Sequence, residues 1–110
     1  IMKLLNDQEI KENRLKVGHF FLTYSELISI EDQSARIKLT SLESKFLNHL
    51  CLNKSGSSKK ELLLKVWGYS DKVNTHTIES LVYRLRQKIE HDPNSPKILV
   101  QTGKKYLLRD

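Results

Sequence analysis

Only one cysteine, Cys51, occurs in the 110 residues, so no internal disulfide can form and a reducing compartment, the cytoplasm, is the expected setting. No charged residue adjoins it, and it reads as a small side chain on a helix rather than a reactive thiol. No apolar run approaches the ~20 residues needed to cross a bilayer, and nothing resembles a secretion signal. A glycine-rich phosphate loop, a nucleophile elbow and a paired-carboxylate cluster are all missing, so catalysis and a cofactor are not expected. The four histidines, His19, His49, His76 and His91, have no paired spacing and no supporting thiol cluster, which argues against a metal site.

What is present is positive charge, unevenly placed. Nineteen Lys and Arg face thirteen Asp and Glu, a net of +6. Residues 1–58 carry eight against seven, whereas residues 59–110 carry eleven against six. A basic surface confined to the second half puts a polyanion at the head of the partner list. The length suits one domain with a modest core.

The basic half is organised around NTHTIESLVYRLRQKIEH, residues 74–91. At about 100° per residue, Ile78, Val82, Leu85 and Ile89 share one narrow stripe with Leu81 on its shoulder. The opposite face carries His76, Ser80, Tyr83, Arg84 and Gln87, flanked by Thr77 and Lys88. Every one of these side chains donates hydrogen bonds or carries positive charge, while Glu79 and Glu90 lie off the centre. A solvated helix mixes signs on its outer face. This one is suited to a DNA groove.

Elsewhere the chain supplies a frame for that helix. Residues 1–14 mix both charges with little apolar content and are expected to be a linker or the frayed end of a preceding segment. A start at Ile rather than Met is expected of a segment cut from a longer protein. From Leu15, short β-branched or aromatic runs over 15–17, 20–24, 27–30 and 35–39 predict an antiparallel meander of three or four strands. Thr40 with Glu43 is a capping box that opens a first helix, with Leu42, Phe46, Leu47 and Leu50 expected on its buried face and Lys54-Ser55-Gly56 ending it. Ser58 with Glu61 is a second capping box, and its helix runs through Leu62, Leu63 and Val66 to Trp67-Gly68. Lys59 and Lys60 occupy a first turn where the helix dipole favours carboxylates. Two explanations stand open: a phosphate held there, or two solvated lysines.

Residues 69–73 join this helix to the long one, giving a helix–turn–helix with the longer, basic helix second. Asp92-Pro93-Asn94-Ser95-Pro96 is a turn rich in breakers. Ile98-Leu99-Val100 and Tyr106-Leu107-Leu108 then flank Gln101–Lys105, a hairpin over 98–108 with two lysines at its tip. Such a hairpin after a helix–turn–helix is shaped like a wing that grips an adjacent groove or its phosphates.

At this point residues 15–110 resemble the effector domain of OmpR/PhoB-type response regulators. The matching residues are Leu39-Thr40 with Glu43, Leu62-Leu63 with Val66-Trp67-Gly68, and Thr77-Ile78-Glu79. Arg84-Leu85-Arg86 with Lys88-Ile89-Glu90, Asp92-Pro93, and Gly103 with Tyr106-Leu107 complete the set. The resemblance implies an α+β fold: a winged helix-turn-helix with an N-terminal antiparallel four-stranded sheet, three helices and a C-terminal β-hairpin wing. It implies sequence-specific duplex-DNA binding in a two-component (phosphorelay) transcriptional regulator, with helix 75–90 in the major groove and the wing in the neighbouring minor groove. Members bind direct repeats as head-to-tail dimers after a sensor kinase phosphorylates an N-terminal receiver. A monomer is expected in isolation, since no stretch reads as an exposed apolar dimer face.

By the same resemblance Trp67, His76, Ser80, Tyr83, Arg84 and Arg86 are DNA-contact positions, and the loop Tyr69, Ser70, Asp71 and Lys72 touches RNA polymerase. Three positions depart from the family pattern. Leu81 stands where members carry a polar contact, Thr102 replaces a wing arginine, and Lys105 replaces a turn glycine. Lys104 and Lys105 are the wing's charges, and Lys59, Thr77, Lys88 and Thr102 complete the expected interface.

Each residue also has a plainer reading. Arg84 is the first choice for a bidentate contact to guanine, against a solvated or phosphate-bound arginine. Arg86 points off the outer face, towards phosphate or an intramolecular carboxylate. Tyr83 is suited to phosphate or a thymine methyl, against a partly buried aromatic, and Trp67 to a core plug as much as to a phosphate ligand. Two rival functions stand beside DNA reading by a receiver-linked regulator: a winged helix used for protein contact, and the same domain on a membrane regulator.

Overall fold

A computed structural model describes residues 15–68 and 75–109. The expected linker, residues 1–14, and the expected polymerase loop, Tyr69–Lys72, lie outside the described residues.

The four short runs form strands β1 (Leu15–Val17), β2 (Phe20–Leu22), β3 (Glu26–Ser29) and β4 (Arg36–Lys38). They pair antiparallel in sequence order as a four-stranded meander. Tight turns set the register: Val17 faces Phe20 across Gly18-His19, and Leu22 faces Leu27. Val17, Leu22, Leu27 and Ile28 are buried, and the sheet packs on the helix that follows.

That helix, α1 (Ser41–Leu52), starts where the capping box places it. Glu43 N–H donates to Thr40 Oγ1 at 3.2 Å, and Thr40 N–H donates to Glu43 Oε1 at 2.9 Å. Its buried side chains are Glu43, Phe46, Leu47, Leu50 and Cys51. Leu42, expected inside, is 37% exposed, and Glu43 takes the inward place at 1%. The helical angle explains the exchange. Positions 43, 46, 47 and 50 form one stripe, and Leu42 lies about 100° from its centre.

Two serines follow as a strand that the sequence pattern does not suggest, β5 (Ser57–Ser58). Ser57 is fully buried, its hydroxyl held by His49 Nε2 at 2.9 Å. Gly56 makes the approach feasible. Its φ is +97°, and a Cβ there would sit 3.0 Å from the Tyr106 carbonyl oxygen. Ser58 then caps α2 (Lys59–Lys65), with both capping-box bonds to Glu61 at 3.2 Å. The helix is shorter than expected, for Val66 is already its C-cap.

The long helix α3 (Thr75–Ile89) buries Ile78, Leu81, Val82, Leu85 and Ile89. Strands β6 (Leu99–Thr102) and β7 (Lys105–Leu108) form the hairpin, and β5 adds to it in the order β5-β7-β6. Gly103 and Lys104 are its two-residue turn, and φ +63° at Gly103 is the positive value such turns demand at their first position. Lys105 therefore lies in β7, opposite Thr102, rather than at the tip. One apolar cluster joins the meander, α1, α2, α3 and the hairpin. Trp67 packs on its rim, edge-on to Phe46 at 6.5 Å between ring centres.

Candidate nucleic-acid interface

α3 is presented outwards because five apolar residues hold its other side in the core. Thr77, Ser80 and Gln87 on the outer face are exposed, Tyr83 is 66% exposed and the Arg84 side chain 56%. His76, also exposed, stands 3.3 Å from Glu79 Oε1 through Nδ1. Leu81 is 1% exposed, so the position where family members carry a polar contact is a core residue here.

The flanking cations are placed differently, and each meets an internal acceptor. Lys88 Nζ donates to Glu43 Oε1 at 2.7 Å and to the Lys38 carbonyl at 3.0 Å. Only 29% of its side chain is exposed, with the ammonium turned towards these internal acceptors. Burial pushes the Glu43 carboxyl up, but the Lys88 and Thr40 hydrogen bonds and the Lys88 and Arg84 charges outweigh it and hold the carboxyl below its ordinary range. Arg84 Nε lies 3.9 Å from Glu43 Oε2, within reach of the charge but too far for a hydrogen bond. Arg86 Nε donates to the Leu99 carbonyl at 3.0 Å, a main-chain partner rather than the carboxylate or phosphate expected.

Lys59 donates to Glu79 Oε2 at 2.9 Å. This pair raises the lysine's pKa and lowers the carboxyl's. At the start of α2 the capping box engages the Ser58 and Glu61 amides, and Glu79 engages Lys59. Thr102, Lys104 and Lys105 are exposed on the hairpin. Open grooves run between hairpin and helices. One, of 560 Å³, is lined by Lys59, Glu79, Tyr83, Arg86, Gln101 and Tyr106 among others. Another, of 420 Å³, is lined by Ser58, Lys59, Lys60, Gln101, Gly103 and Lys104. Gln101 borders both, and the sequence marks it only by the polar pair Gln101-Thr102 that closes an apolar strand.

Among the described residues, no helix is long and apolar enough to cross a membrane, and no group of three or more His, Cys, Asp or Glu could hold a metal ion.

A helix–turn–helix whose exposed second helix is followed by a basic hairpin is the winged-helix DNA-binding class. A family model described as "Transcriptional regulatory protein, C terminal" matches residues 33–108. The chain belongs to this family, the OmpR/PhoB-type effector domains. It is 36% identical over 85 residues to the probable transcriptional regulator ycf27 of Guillardia theta, covering 73% of this chain and 33% of that protein. The chain thus spans about a third of the curated relative's length. Among solved structures it is similar to the C-terminal domain of the nisin resistance regulator NsrR, a lantibiotic response regulator, at 30% identity and TM-score 0.66, covering 87% of this chain and 96% of that one. It is also similar to the DNA-binding domain of Bacillus subtilis CssR, at 28% identity and TM-score 0.59, covering 76% and 90%.

Proposed function

We propose that this domain reads duplex DNA in a response-regulator-type transcription factor, with α3 in the major groove and the β6–β7 hairpin beside the adjacent minor groove. The observation that carries the reading is the outer face of α3. Thr77, Ser80, Tyr83, Arg84 and Gln87 are exposed on one side of a helix whose other side is locked in the core. Base reading falls to Arg84 first, with Ser80 and Thr77 small enough for close approach, Tyr83 suited to phosphate or a thymine methyl, and His76 at the exposed start of the helix. Lys104, Lys105 and Lys60 supply backbone charge. Trp67 at the rim of the core serves as a phosphate ligand through its indole N–H.

The wider role follows the family. The reading includes a head-to-tail dimer on direct repeats, polymerase contact through Tyr69–Lys72, phosphorylation of a separate receiver and a cytoplasmic setting. With about 5–7 phosphates neutralised per protomer, log affinity falls against log salt with a slope of about −5 to −6. A salt titration of duplex binding by the wild type and Arg84→Ala tests this. The expected result is that slope, with Arg84→Ala weakened at specific sites by about 1–3 kcal/mol. A flat salt response, or retention unchanged in Arg84→Ala, sinks the reading in favour of protein contact.

A further inference from the structure

We infer that Glu90 and Arg86 are positioning residues that weld the wing to the recognition helix, so that the offset between the two DNA-facing elements is built in before DNA arrives. This rests on the DNA-binding reading above.

The geometry lies at one residue of the wing. β6 is an edge strand in the order β5-β7-β6. On its inner side the Ile98 carbonyl accepts from Arg109 N–H at 2.7 Å. Backbone groups of successive strand residues point in opposite directions, so those of Leu99 face outwards, where an edge strand ordinarily meets water or another chain. Here α3 meets them. Leu99 N–H donates to Glu90 Oε2 at 2.7 Å, and the Leu99 carbonyl accepts from Arg86 Nε at 3.0 Å. Two side chains one helical turn apart thus stand in for a neighbouring strand.

Glu90 reaches further. Lys97 N–H donates to its Oε1 at 2.8 Å, and Ile98 N–H is shared between Oε1 at 3.1 Å and Oε2 at 3.0 Å. One carboxylate, 9% exposed, collects three successive backbone amides at the root of the wing. Asp92 shapes the return of the chain, its side chain accepting from Asn94 N–H at 3.0 Å and its carbonyl from Ser95 N–H at 2.9 Å. Hydrogen bonds to a charged acceptor are short and strong, and these are shielded from water. The matched Arg86 therefore acts through Leu99 rather than on DNA.

Two experiments on the 110-residue chain decide this. The first needs no DNA: hydrogen exchange of the wild type. Ile98 and Leu99 amides are expected to be as protected as Leu85 in α3, opening only with the whole domain. Exchange about a hundredfold faster than at Leu85 overturns the weld. The second is a double-mutant cycle in duplex affinity. In the wild-type background, removing the hairpin charges with Lys104→Ala and Lys105→Ala together is expected to weaken binding about tenfold. With Glu90→Gln, or with the charge-preserving Arg86→Lys should Glu90→Gln not fold, the same pair is expected to cost less than about threefold, because the wing is no longer held at its offset. Additive losses in a folded background overturn the inference, since a merely stabilising role leaves the wing's contribution intact. Failure of the wild type to bind any duplex refutes the DNA reading instead, and the exchange result still decides the weld.

Discussion

Lys88→Met separates two roles for one lysine. The matched position suggests a cation for DNA, whereas the structure ties its Nζ to Glu43 at 2.7 Å and to the Lys38 carbonyl at 3.0 Å. Removing one partner of a buried ion pair costs roughly 3–5 kcal/mol because the other charge is left unpaired. Two features reduce that here. Lys88 is 29% exposed, and the Arg84 guanidinium, 3.9 Å from the same carboxylate, remains. The expected loss is about 2–3 kcal/mol, or roughly 8–20 °C in Tm for a domain of this size. Thermal unfolding followed by circular dichroism measures it. Adding Glu43→Leu should recover part of the loss, since an apolar pair leaves no orphaned charge. DNA affinity at a temperature where both proteins are folded should keep its salt slope. The reasoning is refuted if Lys88→Met melts with the wild type while its salt slope falls by about one unit, the signature of a lost phosphate contact.

Other consequences concern stability and reactivity. Gly56→Ala forces a side chain into φ +97° and a Cβ to 3.0 Å from a backbone oxygen, and should cost about 1–3 kcal/mol, read from urea unfolding. Gly103→Asn, at φ +63° with nothing within 4 Å, should be close to neutral in the same assay. Because the folded Glu43 carboxyl lies below its ordinary value of 4.5, the unfolded chain binds its proton more tightly. Its contribution is complete above that value and disappears as pH falls through the folded pKa, so Glu43→Gln should flatten the acid limb of a stability–pH curve. Cys51 is buried, and burial, opposed by the nearby Lys54 charge, pushes its thiol up to about 11. Alkylation at pH 8 should therefore report unfolding, and rapid labelling of the native protein would contradict the burial.

Local chemistry was readable in the sequence and long-range pairing was not. Both capping boxes form because the partners of Thr40 and Ser58 lie three residues away, where no tertiary contact is needed. The alternation and turns of residues 15–38 were enough to give a meander, and the 3.6-residue period was enough to sort the inner and outer faces of α3. Ser57-Ser58 carries no strand signal. It is a strand because Tyr106 and Lys105, nearly fifty residues on, offer it an edge. Residue type marks Glu43 as a cap and Leu42 as core, whereas the helical angle and Lys88, 45 residues downstream, turn Glu43 inwards. The same limit applies at the interface. Exposure of Arg84 and Tyr83 follows from periodicity, but the internal partners of Lys59, Arg86 and Lys88 come from other elements.

The most direct test of DNA reading by α3 is selection of bound genomic fragments with the purified domain, repeated with Arg84→Ala and with Ser80→Ala. Recovery of a repeated motif, lost or relaxed at defined positions in each variant, is the predicted result. Fragments retained in proportion to length and low salt, with no motif and no change in either variant, would show a basic surface without base reading and contradict the account.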